Sequence, residues 1–90
     1  MDQKEIIEKA IKEITSIPRY NFDVITESNI HPLTDANGKE FGYCVIFHLN
    51  QKYGYTEATI NEWKNILGAS DYYISASNNK LSIYFKKYIQ

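Results

Sequence analysis

Glu27, His31, Cys44 and His48 are side chains of types that do chemistry when brought together. Carboxylate, imidazole and thiolate are all zinc ligands, and a histidine beside a cysteine is the minimal pair for an activated thiol. Whether they meet depends on the segment between them. Residues 29–44, NIHPLTDANGKEFGYC, contain Asn37-Gly38, a dipeptide suited to the positive backbone angles of a two-residue hairpin turn. Such a turn sets Ile30 opposite Val45, His31 opposite Cys44 and Glu27 opposite His48.

The same geometry limits the chemistry. Directly opposed Cβ atoms approach to roughly 4.5–5.5 Å, but residues four apart on one strand are separated by about 13 Å. Only one pair at a time is close, with no third group to orient it and no oxyanion site. Pro32 also removes an N–H that a regular ladder can use. A strand cysteine is more often a small buried hydrophobe, and a histidine before proline more often makes a local hydrogen bond. The expectation is therefore no catalytic residue, no metal and no cofactor, with a small Cys/His enzyme or metal site as the last alternative. Residues 27–41 are expected to project past the sheet as a ribbon that serves shape recognition.

Hydrophobic periodicity supplies the elements that would carry this ribbon. Asp2 and Glu5 fit a capping box ahead of Ile6, Ile7, Ala10, Ile11 and Ile14, and Pro18 ends that amphipathic helix near Ser16. Tyr20, Phe22 and Val24 alternate with polar residues, as do Tyr43, Val45, Phe47 and Leu49. Thr56 caps a second helix with a stripe of Ile60, Trp63, Ile66 and Leu67, closed by Gly68. Tyr72, Ile74 and Ala76, then Leu81, Ile83 and Phe85, form two strands around Asn78-Asn79. The order α-β-β-α-β-β, with one apolar stripe per helix and one strongly apolar face per strand, predicts a single two-layer α+β domain over residues 1–90. Two helices pack on one face of a four-stranded antiparallel sheet. Topologically this resembles a ferredoxin-like chain with its first strand moved to the end, a likeness that carries no function.

Alternation also sorts the second face of the sheet. Asn21, Asp23, Ile25, Cys44, Ile46, His48, Tyr73, Ser75, Ser82, Tyr84, Lys86 and Tyr88 point away from the helices. That set is too aromatic to be ignored and too polar for a second core, although exposed tyrosines are also simply tolerated on strands, where their propensity is high. Tyrosines there offer rigid amphipathic area, the property that enriches them at protein interfaces. Ile46, His48, Tyr73, Tyr84, Lys86 and Tyr88, with His31 from the ribbon, are the expected partner-binding residues.

Composition narrows the partners. The chain has 90 residues, 43% hydrophobic and 14% aromatic, enough to fold as one small globule. Its net charge of -1 gives no field for polyanions or anionic membranes. Charge is uneven: residues 1–50 carry 5 basic and 8 acidic side chains, whereas 51–90 carry 5 and 3. A single cysteine makes no internal disulfide, and no apolar run approaches the roughly 20 residues of a membrane span, so the expected place is the cytoplasm. No glycine-rich phosphate loop, paired cysteine motif or serine nucleophile motif is present.

The leading expectation is a non-catalytic protein-binding module, with a homodimer as one form of it. Size and the lysine- and asparagine-rich composition suggest, more specifically, a phage-encoded inhibitor of a host defence enzyme. The alternative is a single-stranded RNA-binding domain whose sheet aromatics stack bases while Lys86 meets phosphate. Against that alternative stand the negative net charge, a single arginine and no match to the RNP1 pattern.

Overall fold

The computed structural model describes residues 2–16, 25–50, 56–77 and 80–89. Helix α1 spans Gln3–Thr15 and begins where sequence places it, the Asp2 carboxylate accepting the Glu5 N–H at 2.8 Å. Ser16 caps its end and Ile7, Ala10 and Ile14 form its buried stripe. Helix α2 spans Glu57–Leu67, with the Thr56 hydroxyl accepting the Thr59 N–H at 3.2 Å and Gly68 left-handed at φ 69°. That angle is easy only for glycine and lets the backbone close the last turn.

The strands are β1 (Ile25–Thr34), β2 (Glu40–Leu49), β3 (Asp71–Ser77) and β4 (Lys80–Tyr88). They form one antiparallel sheet in the order β1-β2-β4-β3. The architecture is α+β, with the expected α-β-β-α-β-β order and the neighbour order of the permuted topology. Val45, Phe47, Leu49, Ile83 and Phe85 from the sheet meet Ile7, Ile14, Ile60, Trp63 and Leu67 from the helices in one core. Phe47 is central, edge-on to Trp63 at 5.8 Å and to Phe85 at 5.4 Å between ring centroids. Such edge-to-face contacts add to the area term. Among the described residues no helix is long and apolar enough to cross a membrane.

Three local readings are corrected. The hairpin turn is longer than two residues: Gly38 N–H donates to Asp35 C=O across Ala36 and Asn37, and Asp35 N–H donates to Lys39 C=O. The Asp35 carboxylate also accepts the Asn37 and Lys39 N–H groups, at 2.8 and 3.0 Å, which holds the turn in this form. This shifts the pairing by one, and a bulge at Phe41 shifts it back. Ile30 therefore opposes Val45, His31 opposes Cys44 and Glu27 opposes His48, as expected.

The second correction is Ile25, expected on the open face. A bulge at Thr26, whose hydroxyl donates to His48 C=O at 3.1 Å, breaks the alternation and turns Ile25 onto the core opposite Leu49. The third is Ile74, expected in the core. It stands opposite Ile83 on the helix side but is 51% exposed, because β3 is an edge strand and the helices do not cover its far half.

Residues 27–33 pair with β2 opposite the stretch that bonds β4 on its other side, so only the 34–41 tip reaches beyond the β2–β4 ladder. The expected strand Tyr20–Val24 and the Asn78-Asn79 turn lie outside the described residues.

Candidate functional site

The register lays the open face out in rungs that run straight across the sheet. One reads His31, Cys44, Lys86, Asp71; the next Asn29, Ile46, Tyr84, Tyr73; the third Glu27, His48, Ser82, Ser75. Leu33, Gly42 and Tyr88 start a fourth at the end nearer the hairpin tip. Because directly opposed side chains are each other's nearest neighbours, each rung is a contact unit.

The middle rung holds the aromatic centre. Tyr73 and Tyr84 are stacked at 4.6 Å with their planes 3° apart, and the Lys86 ammonium lies over the Tyr73 ring at 5.6 Å. Stacking and cation–π contact fix rings that would otherwise sample rotamers in water. Tyr73 is nevertheless 49% exposed. Ile46, half-buried, extends the rung toward β1.

The third rung is a hydrogen-bonded floor rather than a contact surface. His48 Nδ1 and Ser82 Oγ are 2.8 Å apart, and Ser82 is buried although it sits on the open face. A small serine beside the larger His48 and Tyr84 sinks below them, and its hydroxyl needs the imidazole as partner. Of the residues expected to bind, His48 is thus held by an internal contact.

At the fourth rung Tyr88 stacks on Phe41, with centroids 6.3 Å apart. Both are exposed, and the Ile89 N–H donating to Phe41 C=O at 2.9 Å continues the β2–β4 pairing to this end. Phe41 was missed in the sequence because its place depends on the bulge. Gly42 was also missed: a Cβ there would lie 2.4 Å from Lys87 O and 3.1 Å from Tyr88 Cα. Only glycine lets β2 approach β4 so closely at this point.

The structure brings Ile46, Tyr73, Tyr84 and Lys86 together and sets His48 beside them. His31 is exposed on edge strand β1, three strands away from Tyr73. It faces Cys44 as expected. Burial pushes the Cys44 thiol up from its usual range, with the Lys86 charge acting in the opposite direction. A thiol held protonated is a weak nucleophile and a poor metal ligand at neutral pH. Among the described residues no three His, Cys, Asp or Glu side chains gather closely enough to hold a metal ion. A cavity of about 440 Å³ lies between α1 and β1, lined by Lys4, Glu8, Ile11, Lys12, Ser28, Asn29 and Ile30. It mixes both charges in an open trough and converges on no single group. No family model, curated protein or solved structure matches the chain.

Proposed function

We propose that the protein is a non-catalytic protein-binding module and that its partner docks on the open sheet face at the Ile46, Tyr84, Tyr73 rung. The observation that carries this reading is the stacked, partly exposed Tyr73–Tyr84 pair under Lys86. Aromatic area that is already ordered loses little entropy on binding, which is what interface anchors need. Tyr88 and Phe41 extend the apolar area at one end, and His48 with Ser82 gives the other end a rigid polar border.

The same stacking favours protein over RNA. Base recognition on a sheet needs free aromatic faces, and here Tyr73 and Tyr84 cover each other while Lys86 is engaged with Tyr73 rather than held out for phosphate. The narrower form of the proposal, a phage-encoded inhibitor of a host defence enzyme, draws on chain size and composition, and it predicts that the captured partner is such an enzyme.

The test is capture from a lysate of the organism in which the gene acts, comparing wild type, Cys44→Ala and a Tyr73→Ala, Tyr84→Ala double variant. A protein retained by wild type and Cys44→Ala but lost by the folded double variant supports the proposal, since central anchors contribute about 2 kcal/mol or more each. Mixed-sequence RNA at low salt should not compete. Loss of capture by Cys44→Ala alone, or retention by the double variant, overturns it.

A further inference from the structure

The two edges of the sheet differ in a way that the face does not explain. The Ile89 N–H to Phe41 C=O bond fixes the phase of the β2–β4 ladder, and alternation then carries that phase across every strand. On β1, Glu27, Asn29, His31 and Leu33 direct their backbone groups inward to β2, so Pro32 falls at an outward position. Its missing N–H costs the sheet nothing and removes a donor from the free edge. With a bulge at Thr26 and the register shift that Phe41 of β2 imposes at Thr34, the β1 edge is interrupted at both ends and so blunted.

On β3 the same alternation turns Tyr72, Ile74 and Ala76 outward. The Tyr72 N–H is capped by its neighbour's carboxylate, Asp71 Oδ1, at 2.8 Å. Beyond that cap the edge is open among the described residues: no proline or bulge interrupts Tyr72–Ala76, and Ile74 is 51% exposed on the helix side while Tyr73 is 49% exposed on the other. An open edge strand with apolar side chains on both faces is a template for another strand.

We infer that this edge pairs with the β3 edge of a second copy, antiparallel and centred on Ile74. In that register Ile74 N–H and C=O pair reciprocally with those of the partner's Ile74, and each Ala76 N–H donates to Tyr72 C=O across the interface. Each exposed Ile74 covers the other, and the small Ala76 meets the large Tyr72. The two Asp71 carboxylates lie at opposite ends, so like charges do not meet, and each keeps its own Tyr72 N–H. Because β1 is blunted, β3 is the one open edge among the described residues, and a two-fold pairing of that edge closes as a dimer instead of growing into a filament. The contact is small beside the roughly 800 Å² per partner of a standard interface, so the dimer exchanges, with half-association at about 10–100 μM. The inference does not need the sheet-face proposal: in this register Tyr73 meets the partner's Ser75 at its side, while Ile46 and Tyr84, farther from the edge, stay uncovered.

Sedimentation velocity across that concentration range tests it, with amide exchange read at Ile74 and Ala76. The expected result is a monomer–dimer equilibrium in which those amides exchange more slowly as concentration rises. Ile74→Lys, at an exposed site, should stay monomeric at least tenfold higher in concentration, as should Ala76→Pro, which deletes an outward N–H and no internal bond. Tyr84→Asp should still dimerise. A wild type that is monomeric throughout overturns the inference, as does a dimer indifferent to both edge variants or one dissolved by Tyr84→Asp alone.

Discussion

The two faces of the sheet are made by the same strands, residue by residue in alternation, yet they are held by different physics. On the helix side Phe47, Phe85, Ile83 and Val45 are fully buried and touch other apolar groups in every direction. On the open side order comes from discrete pairs: a tyrosine stack, an aromatic pair at one end and a histidine–serine hydrogen bond. The first kind of order is dense and nonspecific in chemistry, and it stabilises the fold. The second is sparse, and it shapes a surface without contributing much to stability.

This contrast predicts a large asymmetry between neighbouring positions on one sheet. Phe47→Ala should cost about 3–5 kcal/mol in urea unfolding, because it removes the hub of the aromatic cluster and leaves a cavity that Trp63 and Phe85 cannot close. Tyr84→Ala, one rung away on the other face, should cost about 1 kcal/mol, the worth of its stack. Comparable losses at the two sites would mean that the open face is a second core.

Gly42 sharpens the comparison from the opposite direction, since it is a fold-critical position on the open face. Gly42→Ala would press its Cβ against Lys87 O and Tyr88 Cα, both backbone atoms that cannot swing away. The expected loss is about 1–3 kcal/mol, with the β2–β4 ladder loosened at the Tyr88 end. Backbone amide exchange at Lys87 and Ile89, whose N–H groups face β2, checks it. A neutral Gly42→Ala would show that the strands separate there at little cost.

The helix caps at Asp2, Thr56 and Gly68 and the layering of core residues were legible because each depends on a few adjacent residues and a fixed period. The pairing of β1 with β2 was legible for a weaker reason. The extra residue in the turn and the bulge at Phe41 shift the register in opposite senses, so a simpler turn reaches the same partners. Where a bulge was not offset the reading failed: Thr26 turned Ile25 to the core, against its expected side. Ile74 shows a different limit, since alternation gives a side chain its direction but not whether a helix reaches far enough to cover it. Among the site residues, the rung of Ile46, Tyr84 and Tyr73 followed from parity, whereas the stack of Tyr73 on Tyr84 and the sinking of Ser82 beneath its neighbours depend on rotamers and neighbour size.

The smallest expected effect is at Cys44 on the open face. Its thiol sits on the open side but is half-buried between His31 and Lys86, and burial raises its pKa while the lysine charge lowers it. The raised value means that the folded state disfavours the thiolate. Stability from this group is therefore fully present below the thiol's unfolded pKa and is lost as pH rises through the folded one. Alkylation by iodoacetamide should be slower for the folded protein than for the urea-unfolded chain near pH 8, and the midpoint of its pH profile should lie higher when folded. Lys86→Ala removes the opposing charge and should move that midpoint up further, whereas replacing His31 should leave the order unchanged. A folded thiol that reacts faster than the unfolded one would place an activating group beside Cys44, and the open face would then hold chemistry as well as shape.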